Sequence, residues 1–167
     1  MEVVILAAGK GTRMNSSTPK VLHSIGGKPM LSHAIDAVTE LESNMIHVVV
    51  GYGAELIERY CEDNVAEASL NFVTQAEQLG TGHAVQQAIP SLTSIDDSNI
   101  VLILYGDVPL IQADTLEALL NKASANSIAL LTAFTEDPAG LGRILRDGTG
   151  EVLAIVEEKD ANDQQRR

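Results

Sequence analysis

Residues 2–14 read EVVILAAGKGTRM, an apolar run that passes directly into a glycine-rich loop. Its opening letters, EVVIL, are mostly β-branched or aliphatic and predict a short buried strand at residues 2–6. Small residues follow at once, with Gly9 and Gly11 allowing the backbone to approach a ligand closely. The apolar run is too short for a membrane span, and its cations follow it, whereas those of a signal peptide precede it.

Apolar runs alternate with amphipathic stretches along the rest of the chain. The patterns predict strands at 46–50, 70–74, 100–104 and 128–134, and helices at 30–42, 54–62, 82–89 and 114–123. This alternation predicts an α/β fold, Rossmann-like, with a mostly parallel sheet and helices on both faces. Residues 100–104 (IVLIL) form the most continuous apolar run, which is typical of a central strand covered on both faces.

Beyond the alternating region, a hairpin and a polar tail are expected. Residues 143–146 and 151–156 flank the turn sequence Asp-Gly-Thr-Gly at 147–150, which is typical of a β-hairpin. The tail at 158–167 (EKDANDQQRR) has no apolar anchor, and we expect it to be frayed.

Composition bounds the class of protein. The 167 residues fit one domain, of which 45% are apolar, enough to bury a core. A net charge of −12 argues against a broad nucleic-acid surface, although local cations can still hold a small anionic ligand. Cys61 is the only cysteine, so an internal disulfide is excluded and a zinc cluster lacks ligands. We expect a cytoplasmic protein.

Ligands of parallel sheets bind at the carboxyl ends of the strands, which directs attention to the loops after residues 6, 74, 104 and 156. In the first loop, successive N–H groups can cradle a triphosphate, while Lys10, Arg13 and Lys20 add positive charge. Met14 stands where the dinucleotide fingerprint requires glycine, and the spacing of a P-loop is also absent. The alternative is a flexible turn with solvated cations.

Two further loops carry candidate ligand-binding groups. Asp107, in the run YGDVPL at 105–110, follows a strand and can hold Mg²⁺ with a hard oxygen, unless it is only a turn residue. Gln75, in the run QAEQLGTGHA at 75–84, has a donor and an acceptor with which to read the edge of a pyrimidine. The alternative there is a strand–loop–helix junction capped at Thr81, and we interpret His83 as structural.

The last loop pairs Gly142 with the acidic run at 156–160 (VEEKD). A close backbone at Gly142 and the carboxylate of Glu157 can grip sugar hydroxyls or an N-acetyl group. A glycine-rich turn beside a solvated charge run is the alternative.

Together these motifs resemble the sugar-1-phosphate nucleotidyltransferases. The runs QAEQLGTGHA and YGDVPL are similar to the uridylyltransferase domain of the bacterial bifunctional UDP-N-acetylglucosamine pyrophosphorylase/glucosamine-1-phosphate acetyltransferases, and the similarity covers essentially the whole chain. The resemblance implies UTP and N-acetylglucosamine-1-phosphate as substrates and Mg²⁺ as cofactor. It also implies UDP-N-acetylglucosamine as a product that feeds cell-wall synthesis, with no nucleic-acid or membrane partner.

The same resemblance implies a role for each candidate residue. Asp107 is implied as the Mg²⁺ ligand, Arg13 as a transition-state stabiliser and Lys20 as a phosphate contact. The nucleotide contacts are implied to be Leu6, Ala7, Ala8 and Gly9, the uracil contacts Gln75, Gly80 and Thr81, and the sugar contacts Tyr105, Gly106, Gly142 and Glu157.

In one respect the chain departs from that family. Family domains continue past the Val-Glu-x-Lys-Asp region with a second protein ligand to the metal, and then with an acetyltransferase β-helix on which trimer formation rests. We therefore expect residues 1–167 to be a partial domain. The resemblance leaves the activity of this fragment alone open.

Three alternatives stay open on the sequence. The first is a glucose-1-phosphate thymidylyl- or uridylyltransferase, and the second is a non-catalytic module that binds nucleotide sugars. The third, an NAD-binding dehydrogenase domain, needs an acidic residue at the end of its second strand, where this chain has Gly51.

Overall fold

The computed structural model describes residues 1–41, 43, 45–65, 68–93, 99–124 and 126–166. The chain forms two compact units, Met1–Ala129 and Leu130–Arg167. Strands of the first unit are β1 (Glu2–Leu6), β2 (Ser24–Ile25), β3 (Lys28–Pro29), β4 (Met45–Val50), β5 (Leu70–Thr74) and β6 (Val101–Tyr105). Its helices are α1 (Met30–Thr39), α2 (Ala54–Asn64), α3 (Thr81–Ala88) and α4 (Ala113–Leu120).

A parallel sheet in the order β5-β4-β1-β6 organises the first unit. Leu6 at the end of β1 pairs with Val49 on one side and Tyr105 on the other. Because the strands run in the same direction, their carboxyl ends meet at one edge, and the loops that follow β1, β5 and β6 are neighbours. The short strands β2 and β3 form a separate antiparallel pair.

Helices cover both faces of the sheet, as the sequence predicts. On one face, Leu31 of α1, Ile57 of α2 and Leu116 of α4 are fully buried in one apolar cluster. On the other face, Ala84 and Ala88 of α3 pack in a second cluster with side chains of β1 and β4. Every residue of β1 is buried, so β1 is the central strand that carries the glycine-rich loop at its end.

The prediction that residues 100–104 form a central strand is wrong in its position. Among the described strands, β6 pairs only with β1 and lies at the edge of the sheet. Leu102 and Leu104 point into the core, whereas Ile103 and Tyr105 are 43% and 50% exposed. A continuous apolar run does not distinguish a central strand from an edge strand, because an edge strand that buries one face can still carry apolar residues on the other.

The predicted strand at 128–134 is also wrong, since these residues adopt no regular secondary structure. A strand needs a neighbour to satisfy its backbone groups, and no described strand pairs with this segment. Ile128 and Phe134 are almost completely exposed. Residues 128–134 therefore have the composition of a strand, but no described strand lies beside them to pair with.

In the second unit the predicted hairpin is confirmed. Strands β7 (Arg143–Arg146) and β8 (Val152–Val156) pair antiparallel. Asp147 Oδ1 fixes the turn by accepting hydrogen bonds from the N–H groups of Thr149 at 2.8 Å and Glu151 at 3.0 Å.

The expectation of a frayed tail is wrong for residues 158–166, while Arg167 lies outside the described residues. These residues form turns in which Ala161 is buried and Arg166 Nη2 donates to the carbonyl of Glu158 at 3.1 Å. One small apolar residue and backbone hydrogen bonds therefore order a segment whose composition is almost entirely polar.

The remaining elements agree with the sequence to within a few residues. The first helix ends at Thr39, short of the predicted 42, and Glu42 itself lies outside the described residues. Pro90 follows α3 inside a short 3₁₀ turn, which confirms it as the end of that helix. Within the described ranges, no helix has the length and apolarity needed to cross a bilayer.

Candidate functional site

A pocket of about 290 Å³ opens at the carboxyl ends of β1, β5 and β6. It is built by three loops, those after these strands, together with the start of α3 and the 3₁₀ turn at Lys20–Leu22. The lining residues are Leu6, Ala7, Ala8, Gly9, Lys20, Val21, Gln75, Gln78, Gly80, Thr81, Ala84, Tyr105 and Asp107.

The glycine-rich loop supplies unused hydrogen-bond donors to this pocket. Its start is held by Ala7 N–H, which donates to Val49 O at 2.8 Å. From Ala8 to Gly11 the backbone N–H groups donate to no acceptor among the described residues, and Ala8 and Gly9 of this run line the pocket. Consecutive free N–H groups form a concave site for an anion, and they match the cradle that the sequence predicts for phosphate.

Gly11 allows a lysine to lie against this loop. Its φ of 58° is left-handed, and a Cβ atom there would come within 2.7 Å of Lys20 Cβ. Lys20 begins the 3₁₀ turn, and its ammonium forms an ion pair with Asp107 Oδ2 across the pocket. The two side chains are 35% and 29% exposed, so water and ligands can reach both charges.

Gln75 is buried in the pocket wall and held by several hydrogen bonds. Its backbone N–H donates to Val50 O at 2.8 Å, and its side-chain Nε2 donates to Gly80 O at 3.1 Å. Nε2 also lies 3.0 Å from His83 Nδ1. The residue is only 3% exposed, which places a fixed amide at the pocket surface.

Helix α3 begins directly at the pocket. Its N-cap residue is Gly80, so no side chain caps the helix, and Thr81 is the first helical residue. The alternative that Thr81 is an ordinary cap is therefore wrong. The first-turn N–H groups have no side-chain cap, and this end of the helix favours partial negative charge on a ligand.

The other predicted site residues lie in three places: at the pocket, in an exposed turn and in the second unit. Tyr105 lines the pocket, and Gly106 is buried just behind it with its N–H donating to Leu6 O at 3.0 Å. Arg13 lies in the exposed 3₁₀ turn Thr12–Met14 and is not part of the lining. Gly142 and Glu157 belong to the second unit.

Val21, Gln78 and Ala84 also line the pocket, and the sequence motifs do not identify them. Gln78 and Ala84 lie within the run at 75–84, so their proximity to Gln75 is the only signal that the sequence offers for them. Val21 follows Lys20 and is buried, and no pattern in the sequence distinguishes it from other core valines.

The residues fit a divalent metal that arrives with a nucleotide. The described part of the chain contains no group of three or more His, Cys, Asp or Glu side chains arranged to hold a metal ion. Asp107 is a single carboxylate beside the anion cradle. Mg²⁺ is commonly held by one or two carboxylates together with substrate phosphates, and such a site needs no protein cage.

Comparison with known proteins places this geometry in a family. Residues 3–161 match the model of the MobA-like NTP transferase domain. The chain belongs to the MobA-like NTP transferase domain family. This match confirms the nucleotidyltransferase class and weighs against the dehydrogenase alternative.

Curated relatives agree with the family assignment. The chain is 56% identical over 167 residues to the Bifunctional protein GlmU of Pseudomonas aeruginosa strain PAO1, covering 100% of this chain and 35% of that protein. It is 55% identical over 166 residues to the Bifunctional protein GlmU of Pseudomonas putida strain GB-1, covering 99% of this chain and 35% of that protein. The chain thus spans about a third of the length of these relatives.

Solved structures confirm the α/β nucleotide-sugar transferase fold. A UDP-glucose pyrophosphorylase complexed with UDP-glucose superimposes with a TM-score of 0.70 at 16% identity, covering 98% of this chain and 70% of that one. HddC from Yersinia pseudotuberculosis superimposes with a TM-score of 0.65 at 23% identity, covering 93% of this chain and 68% of that one. At these identities the likeness extends to the fold alone.

Proposed function

We propose that this NTP transferase chain is the nucleotide-binding part of an enzyme that converts UTP and N-acetylglucosamine-1-phosphate to UDP-N-acetylglucosamine and pyrophosphate. One observation carries the proposal: a cradle of free N–H groups, a lysine, a carboxylate and a fixed amide meet in one pocket. Each of these groups matches one part of a nucleoside triphosphate. The identity to the GlmU proteins supports the choice of nucleotide and sugar.

The N–H groups of Ala8 to Gly11 would bind the triphosphate, and Lys20 would turn from Asp107 toward its oxygens. A phosphate oxygen of the sugar-1-phosphate attacks the α-phosphorus and forms the new P–O bond. The bond from the α-phosphorus to the bridging oxygen breaks, and pyrophosphate leaves with that electron pair. The attacking oxygen is already anionic, so the chain supplies no nucleophile and needs no general base.

Asp107 would hold Mg²⁺ together with phosphate oxygens, and the ion when bound would offset the negative charge that builds up at the α-phosphate. Lys20, which lies beside Asp107, would offset part of the same charge. Arg13, in its exposed turn beside the cradle, would approach the leaving pyrophosphate once the triphosphate is bound. This role for Arg13 rests on the family resemblance.

The remaining predicted residues would recognise the base and the sugar. Gln75, with the backbone of Gly80 and Thr81, would read the uracil, since all three line the pocket and Gln75 contacts Gly80 directly. Tyr105 and Gly106 would lie beside the sugar phosphate. Gly142 and Glu157 remain proposed sugar contacts on the resemblance, and the chemistry of a close backbone and a carboxylate suits sugar hydroxyls.

Substrate profiling of the natural, full-length gene product tests the proposal. Pyrophosphate release would be measured with Mg²⁺ for UTP, CTP, ATP and dTTP, each with N-acetylglucosamine-1-phosphate or glucose-1-phosphate. We expect the pair of UTP and N-acetylglucosamine-1-phosphate to give the highest kcat/KM. A preference for dTTP and glucose-1-phosphate would contradict the proposed substrates, and binding without turnover would contradict catalysis.

A further inference from the structure

The side-chain amide of Gln75 is held in one orientation by two acceptors. Its Nε2 has two N–H bonds, one directed to Gly80 O at 3.1 Å and one to His83 Nδ1 at 3.0 Å. Rotating the amide by half a turn would place Oε1 against the Gly80 carbonyl, and two acceptors would then face each other. The carbonyl of Gly80 therefore fixes which side of the amide carries Nε2.

This orientation of the Gln75 amide determines which ring nitrogen of His83 carries the proton. Nδ1 accepts from Gln75, so it carries no proton, and a neutral imidazole then carries its proton on Nε2. The other neighbour of the ring is Gln87, whose Nε2 lies 3.2 Å from His83 Nε2 and donates to the His83 carbonyl at 3.4 Å. A proton on His83 Nε2 therefore requires the Gln87 amide to turn and offer its oxygen to the ring. That turn gives up one long contact with a carbonyl and keeps the two shorter contacts of Gln75.

Gln75 Oε1 is the one polar atom of this side chain that remains available. It accepts no hydrogen bond from any described residue, and it is not among the buried atoms that lack a partner, so it is within reach of solvent. Gln75 lines the pocket while its side chain is almost fully buried. Of the two polar atoms of this amide, Oε1 is therefore the one that a ligand in the pocket can meet.

We propose that His83 is a positioning residue for base selection. Through its unprotonated Nδ1 it holds the Gln75 amide so that Oε1 faces the ligand. An acceptor at this place pairs with the ring N–H of uracil or thymine and is repelled by the bare ring nitrogen of cytosine. The proposal rests on the proposed function, because it assigns a base to the same pocket.

The tautomer of His83 is the first test, and it needs no nucleotide. A long-range ¹H–¹⁵N correlation spectrum of the chain distinguishes an imidazole protonated at Nε2 from one protonated at Nδ1. We expect the Nε2–H form at neutral pH. An Nδ1–H form would overturn the proposal while leaving the proposed function intact.

Base preference in variants is the second test. Asparagine places Oδ1 where histidine has Nδ1, so His83→Asn keeps the acceptor, whereas His83→Leu removes it. We expect His83→Leu to reduce the ratio of UTP to CTP affinity about tenfold, as for the loss of one oriented hydrogen bond, and His83→Asn to retain most of it. Gln86→Met, at an exposed amide on the same helix, serves as the matched control.

The outcomes separate the two claims. Calorimetric titration of UTP and CTP would give each ratio, and thermal unfolding would show that each variant is folded. An unchanged ratio in folded His83→Leu would overturn the positioning role. If the wild-type chain binds UTP no better than CTP, the assignment of the base fails together with the proposed function, whatever the tautomer.

Discussion

Lys20 and Asp107 form an ion pair although 87 positions separate them in the sequence. The lysine follows the glycine-rich loop and the aspartate follows β6, and the parallel sheet places the carboxyl ends of β1 and β6 side by side. Both side chains are about one-third exposed, and ion pairs of that kind contribute only about 0–1 kcal/mol. Each charge can therefore exchange its partner, the ammonium for a phosphate and the carboxylate for a metal ion, at little cost.

Replacing Lys20 by methionine tests that exchange. We expect Lys20→Met to lower the affinity of the chain for UTP about tenfold or more, because a charge-assisted contact to phosphate is lost. Binding of Mn²⁺ to the nucleotide-free chain should become tighter, because the ammonium no longer competes for Asp107. Calorimetry would measure both affinities.

Lys28 provides the matched control, because it also pairs with an aspartate, Asp36, but at an exposed site outside the pocket. Lys28→Met should change neither affinity. Equal effects of the two substitutions would mean that Lys20 acts only through the net charge of the chain.

Replacing Asp107 by asparagine removes charge while preserving size. In the full-length enzyme we expect kcat to fall about 10²-fold or more, comparable to the loss of one preorganised electrostatic element. The free energy of unfolding should change by less than about 1 kcal/mol, since the ion pair that is lost is partly exposed. Added Mg²⁺ or Mn²⁺ should restore part of the activity. Near-normal turnover at ordinary Mg²⁺ would return Asp107 to the role of a turn residue.

The position of Lys20 depends on a glycine in a different loop. Gly53 has a φ of 71°, and a Cβ atom there would lie 2.4 Å from the Cγ of Pro19, which precedes Lys20. Gly53→Ala should destabilise the fold by about 1–3 kcal/mol and also weaken UTP binding, because Pro19 must move. Gly148→Ala is the control, since nothing lies within 4 Å of its added Cβ and its φ is not positive. Chemical denaturation with matched UTP titrations would show whether Gly53→Ala differs from Gly148→Ala, and equal behaviour would refute the packing argument.

Sequence patterns predicted the parts of the fold that depend on local chemistry. The strand–loop unit at 2–14, the helices and the hairpin around Asp147 follow from periodicity and turn residues, and the structure confirms them. The patterns also selected Lys20, Gln75 and Asp107, which the structure brings into one pocket. Their convergence follows from the rule that loops at the carboxyl ends of parallel strands are neighbours.

Pairing and burial between distant residues could not be predicted in this way. Residues 128–134 look like a strand, yet a strand exists only with a partner, and composition does not name the partner. The partner of Glu2 in the buried strand β1 is a further example: its carboxylate is 2% exposed and lies 2.8 Å from His47 Nε2 in the neighbouring strand, a pairing that no local pattern indicates. The contact of His83 with Gln75 was likewise hidden, because a histidine in a helix gives no sign of what it orients.

The one cysteine gives a prediction about pH. Burial of Cys61 raises the pKa of its thiol from 9.0 to about 11. Because the pKa of the thiol is higher in the folded than in the unfolded chain, its contribution to the free energy of unfolding is fully present below pH 9. That contribution is lost as the pH rises toward 11. We expect the free energy of unfolding to fall more steeply over this range in the wild type than in Cys61→Ala, measured by urea denaturation. If the free energy of unfolding falls with pH at the same slope in both proteins, the thiol has the same pKa in the folded and unfolded chains.

We propose that the pocket at the ends of β1, β5 and β6 binds a uridine nucleotide through its phosphates and base. Calorimetric titration of the chain with UTP in the presence of Mg²⁺, beside a titration with NAD, tests this binding. We expect weak but saturable binding of UTP, lost in Lys20→Met, and weaker or undetectable binding of NAD. Affinity for NAD equal to or above that for UTP would contradict it.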